Sequence, residues 1–141
     1  MPTDSSTHDG PVLLVDDDDV FVDLVQRHLR AHGYAVATAG SVAAAREALR
    51  SGSRPRLVIL DINLPDDSGW TLLRDGSLTG VGAPPVVIMS GTQIRPERLR
   101  EFHVAGYLPK PVSMTLLTSC IERFSGEPGA AAPADASEVL E

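Results

Sequence analysis

The sequence is short of several things. It holds one cysteine, Cys120, so no disulfide can form within the chain. Aromatic residues make up only 4%. There is no basic excess, since 12 Lys and Arg stand against 19 Asp and Glu, a net charge of -7. A chain of that sign is a poor partner for nucleic acid or an anionic membrane, because phosphate binding needs Lys and Arg in number. No apolar run approaches the ~20 residues of a membrane span. The first ten residues, MPTDSSTHDG, lack the basic and apolar regions of a secretory signal. With the lone cysteine, this points to the cytoplasm. No internal repeat is visible. No glycine-rich phosphate cradle follows the first apolar run, which removes flavin and dinucleotide folds.

What remains is an ordinary globular composition, 43% hydrophobic and 22% charged over 141 residues, enough for one domain. Short apolar runs alternate with amphipathic stretches. Val12 to Val15 reads as a strand buried on both faces. Phe21, Leu24, Val25 and Leu29 then recur at helical spacing, with Gly33 as the C-terminal cap. Tyr34 to Thr38 reads as a second strand, and Ser41 caps a helix whose apolar face is Val42, Ala45 and Leu49. The runs at 56–60 and 85–89 give the third and fourth strands. A short third helix, Trp70 to Arg74, runs into a loose glycine-rich connection. Pro96 opens a fourth helix, with Leu99, Phe102 and Val104 as apolar positions. Residues 107–108 form a short fifth strand. Ser113 caps a last helix, with Leu116, Leu117, Cys120, Ile121 and Phe124 inward. Strand and helix in alternation imply a parallel sheet with helices on both faces. The expected division is a disordered N-terminus at 1–10, a folded domain at 11–124, and a disordered Ala/Pro/Gly-rich acidic tail at 125–141.

The charges sit at strand ends. The run PVLLVDDDDV places four aspartates after a buried strand. At ~4 Å and an effective dielectric of about 20, each like-charged pair costs roughly 4 kcal/mol. Strand one ends at Asp16 and Asp17, strand three at Asp61, strand four at Ser90 and strand five at Lys110. In an open parallel sheet these ends share one edge, where ligands bind. Crowded carboxylates suit a hard cation such as Mg²⁺, and the lysine and hydroxyl suit phosphoryl oxygens. This is equipment for phosphoryl transfer, with an aspartate as nucleophile. Each piece has a plainer reading. Asp18 and Asp19 serve as helix caps, Asp61 and Ser90 as turn residues, and Lys110 as a solvated surface lysine.

The stretches VLLVDDD, LVILDINLPDDSGWTLL, PVVIMSG and YLPKP, in that order, resemble the receiver domain of bacterial two-component response regulators. The resemblance covers about residues 11 to 124. Its most specific parts are the Asp61–Pro65–Gly69 spacing and the final Lys110–Pro111. It implies a flavodoxin-like, doubly wound α/β fold: a five-stranded parallel sheet in the order 2-1-3-4-5, with five helices on both faces. It also implies that Asp61 accepts a phosphoryl group from a sensor histidine kinase or phosphotransfer protein. Asp17 and, through water, Asp16 would bind Mg²⁺ with the Asn63 carbonyl and Asp61. Ser90 and Lys110 would hold the phosphoryl oxygens, Tyr107 would be the switch aromatic, and the Lys110–Pro111 bond would be cis. Such a chain is a phosphoacceptor switch rather than an enzyme. It would signal through the surface of helix four, strand five and helix five to a downstream protein or an output domain in a longer chain. One departure stands out: Ala105–Gly106 runs straight into Tyr107, which reads as a shortened connection.

Two rival readings remain. A receiver-like interaction module that is never phosphorylated would keep the same residues. A haloacid-dehalogenase-type phosphatase would use Asp16 as nucleophile and Asp18 as acid/base. It leaves Asp61 without a role and lacks an acidic pair at a strand end after Lys110.

Overall fold

A computed structural model describes residues 10–51, 54–80 and 82–125. Five strands and five helices alternate along them: β1 (Val12–Val15), α1 (Asp19–Ala31), β2 (Val36–Ala39), α2 (Val42–Arg50), β3 (Leu57–Asp61), α3 (Trp70–Arg74), β4 (Val86–Ser90), α4 (Pro96–Glu101), β5 (Gly106–Pro109) and α5 (Met114–Ser125). All strand pairs are parallel, in the order β2-β1-β3-β4-β5. Fold class and strand order agree with the expectation. Apart from Gly10 and Ser125, the ends expected to be disordered lie outside the described residues. Gly10 accepts a hydrogen bond from Arg56 Nε, and Ser125 closes α5.

The continuous apolar strands have a simple cause. Successive side chains point to opposite faces, and both faces are covered. Val12, Leu14, Leu57, Ile59, Val87 and Met89 pack under α1 and α5 with Val25, Leu29, Leu117 and Ile121. Leu13, Val15, Val58, Leu60, Val86 and Ile88 pack on the other face with Val42, Ala45, Trp70 and Leu72. Polar positions would break either layer, so the run turns acidic only where the sheet ends.

Caps fix the helix ends. Asp18 accepts from the amides of Val20 and Phe21, and Gly33 follows α1 at φ 92°. Ser41 Oγ accepts from the Ala44 amide, and Ser113 Oγ from the Leu116 amide. Three sequence expectations need correction. The second strand starts at Val36, because Tyr34 is used to close α1, its amide bonding Leu29 O at 3.0 Å. Leu24 and Leu116, expected inward, are 54% and 43% exposed. Each precedes a buried residue, Val25 or Leu117, and one step along a helix turns the side chain by about 100°. The stretch after α3 is anchored rather than loose, with Leu78 4% exposed in the core. The α4–β5 connection is short because Gly106 is already in the strand. His103 makes its turn in the left-handed region at φ 55°. Ala105 already donates to Val86 O at 2.7 Å, and Gly106 pairs with Val87.

Gly69 is set by space. A Cβ there would lie 2.5 Å from Asp61 O and 3.1 Å from Ile62 Cα, both backbone atoms. That contact explains a glycine eight residues after Asp61. Gly69→Ala is expected to lower stability by about 1–3 kcal/mol, read as a lower denaturant midpoint with an unchanged slope.

Candidate phosphoryl-acceptor site

The carboxyl edge of the sheet gathers the residues singled out by sequence. Asp16 leaves β1 with 2% exposure, Asp61 closes β3 with 4%, and Ser90 closes β4 with 1%. Asp17, one residue on, is exposed. One carboxylate oxygen each from Asp16, Asp17 and Asp61 lie within 4.8 Å of one another. Lys110, the only lysine in the sequence, crosses from the end of β5. Its Nζ donates to Asp16 Oδ2 at 2.9 Å and to Asp61 Oδ2 at 3.3 Å. The same ammonium lies 5.5 Å from the centre of the Phe21 ring. The Lys110–Pro111 bond is cis.

The remaining oxygens are held by backbone. Asp16 Oδ1 accepts from the Asp18 amide at 2.9 Å, and Asp61 Oδ1 from the Asn63 amide at 3.2 Å. Asn63 pairs with Ser68 in a small antiparallel bridge, and Gly69 N donates to Ile62 O at 2.7 Å. The loop after Asp61 is therefore a closed hairpin that returns to its own base. On the other side, Ser90 Oγ accepts from the Thr92 amide at 3.0 Å and shares a hydrogen bond with Thr92 Oγ1 at 3.0 Å. Tyr107 OH donates to Thr92 O at 3.1 Å. Ser90 and Tyr107 are thus joined through one residue, Thr92, which sequence reasoning did not single out. Its position two residues after the strand-four serine was the available signal.

Electrostatics favour a cation here. Burial, with Asp16 beside it, raises the Asp61 carboxyl above the ordinary 3.8, against the pull of Lys110. Burial works against the Lys110 ammonium, but its bonds to Asp16 and Asp61 outweigh that and raise its pKa above 10.5. One ammonium against three carboxylates leaves the cluster negative. Hard oxygen donors, close together and under-neutralised, suit a divalent cation such as Mg²⁺. Cys120 is no rival nucleophile, because burial pushes its thiol up to about 12. Asp18 Oδ1 caps α1 through the amides of Val20 and Phe21, which accounts for that residue without the dehalogenase-type reading.

Comparison with known proteins decides the family. The response regulator receiver domain model matches residues 12–122. The chain belongs to this family. It is a receiver domain of the two-component response-regulator kind. Among curated relatives, the probable transcriptional regulatory protein TcrX of Mycobacterium tuberculosis is 34% identical over 105 residues, covering 73% of this chain and 44% of that protein. This chain thus spans less than half the length of that relative. Among solved structures, the non-phosphorylated HemR receiver domain from Leptospira biflexa superposes with a TM-score of 0.72 at 26% identity, covering 89% of this chain and 99% of that one. The receiver domain of a sensor histidine kinase from Pseudomonas aeruginosa PAO1 shares the fold, with a TM-score of 0.70 at 22% identity over 84% of this chain and 98% of that one. That structure holds a magnesium ion in its active-site cleft.

The raised Asp61 pKa carries a stability consequence. A carboxyl easier to protonate in the folded state favours folding at low pH and loses that contribution as pH rises. Asp61→Asn removes the buried charge. Without divalent cations, the variant is expected to melt a few degrees above wild type at pH 7, a gain of roughly 1 kcal/mol. The difference should shrink as pH falls toward 3.8, the ordinary value for an aspartate, in melts followed by circular dichroism.

Proposed function

We propose that this receiver accepts a phosphoryl group on Asp61 in a Mg²⁺-dependent reaction and signals by a shift between two surface conformations. The observation that carries the reading is Lys110 Nζ bonded to both Asp16 and Asp61 beside a third carboxylate. The donor is a phosphohistidine on a sensor kinase or phosphotransfer protein. An Asp61 carboxylate oxygen attacks the phosphorus, the P–N bond breaks, and the imidazole leaves with its electron pair. It regains a proton as neutral histidine. Asp16, Asp17, Asp61 and the Asn63 carbonyl are the groups assigned to Mg²⁺, which supplies charge neutralisation for the phosphoryl oxygens. Lys110 exchanges its bond to Asp61 for one to the new phosphoryl group. Ser90 Oγ turns to donate to another of its oxygens. That movement loosens Thr92, whose carbonyl holds Tyr107. The region of α4, β5 and α5 is then reshaped for a partner.

The α4 helix is built to allow this. It has six residues, none of them buried, and no side-chain cap at its start. The chain acts as a phosphoacceptor switch, with only its own phosphorylation and dephosphorylation as chemistry. Its output lies in a downstream protein or in a domain of a longer regulator. Among the described residues no helix is long and apolar enough to cross a membrane, which fits a cytoplasmic working place.

Incubation with acetyl phosphate and Mg²⁺ should add one phosphoryl group, about 80 Da by intact mass. Asp61→Asn and EDTA should each abolish it, and Lys110→Ala should slow it at least about tenfold. Undiminished labelling of Asp61→Asn would place the acceptor elsewhere.

A further inference from the structure

The loop after Asp61 is fastened to a helix it does not belong to. At its tip, Asp66 Oδ1 accepts from the Val42 amide at 2.9 Å and Oδ2 from the Ala43 amide at 3.0 Å. Ser41 Oγ takes the next amide, Ala44, at 3.0 Å. The opening amides of α2 are therefore satisfied jointly by its own cap and by a carboxylate from another element. The Val42 and Ala43 amides hold the Asp66 carboxyl below the usual carboxylate range, so it is charged at neutral pH.

The base of the same hairpin is tied twice, by Gly69 N to Ile62 O and by the Asn63–Ser68 bridge. Asn63 is one end of that bridge, three residues before the tip. Without the tip bond the hairpin hangs from its base alone, and Asn63 is left to the Ser68 bridge and its amide bond to Asp61 Oδ1. A ligand that must be ordered at the moment of binding weakens the complex. We infer that Asp66 is a positioning residue for the metal site: its two bonds to the start of α2 hold the Asn63 hairpin in the arrangement a divalent cation requires. This rests on the assignment of Asp16, Asp17, Asp61 and Asn63 to Mg²⁺.

The test is an Mg²⁺ titration of the full chain, followed by backbone amide NMR shifts, with thermal melts alongside. Asp66→Ala is expected to raise the Mg²⁺ Kd by roughly tenfold, the lower end for groups that orient metal ligands. Asp66→Asn keeps one acceptor oxygen for one of the two amides and should fall between. Ser41→Ala removes a cap from the same helix without touching the hairpin. It should lower Tm yet leave the Kd within about twofold, so loss of helix capping and loss of positioning are separated. A normal wild-type titration with equal Kd values in Asp66→Ala and Ser41→Ala would overturn the role of Asp66 alone. A wild-type chain that shows no saturable Mg²⁺ response would overturn the metal assignment itself, and this role with it.

Discussion

The Lys110 ammonium set between Asp16 and Asp61 is the contact on which the rest depends. Two carboxylates with 2% and 4% exposure repel each other at one edge, and a cation between them relieves that repulsion. Lys110 supplies one, at 2.9 and 3.3 Å, and offsets part of that repulsion. It does not satisfy that edge, which keeps the demand for further positive charge. The cluster keeps a reason to bind a divalent cation.

From this point outward, the structure divides into parts that hold and parts that yield. The hairpin after Asp61 holds: it is closed at its base, packed so tightly at Gly69 that no Cβ fits, and fastened at its tip to α2. The side beyond Ser90 yields. Its links are three hydrogen bonds through Thr92, each exposed or partly so, and a short α4. That helix lies beside aromatic rings rather than deep in the core, with Arg98 5.2 Å from the Trp70 ring centre and Trp70 stacked on Phe102 at 5.1 Å. Such contacts are individually modest. Each of the hydrogen bonds that keep this side in place is modest in net strength.

Much of this was legible in the sequence, for definable reasons. Strands buried on both faces leave unbroken apolar runs, and the polar residue ending each run marks the shared edge, so Asp16, Asp61, Ser90 and Lys110 could be placed together before any coordinates. Caps were readable because Ser41, Asp18 and Ser113 have local partners. Leu24 and Leu116 failed because each lies about 100° round the helix from the buried residue beside it, Val25 or Leu117, at the edge of the apolar stripe. The turn at His103 was not legible because the residue with positive φ is a histidine, while the nearby Gly106 lies in β5. Thr92 and Asp66 were missed for a different reason. Their partners lie on Tyr107 and on α2, and no spacing rule within one element reveals a bond to another.

Because Lys110 is the only lysine, the chain's reactivity toward amine-directed reagents is unusually concentrated. Dyes, cross-linkers and sensor-chip chemistries that target primary amines have the Lys110 side chain and the N-terminal amine as their places to go. Attachment at the first displaces the ammonium from Asp16 and Asp61. Cys120 offers no easy alternative, being buried with a thiol that stays protonated. Biophysical work on this protein is better served by an added surface cysteine remote from the carboxyl edge, or by its single tryptophan.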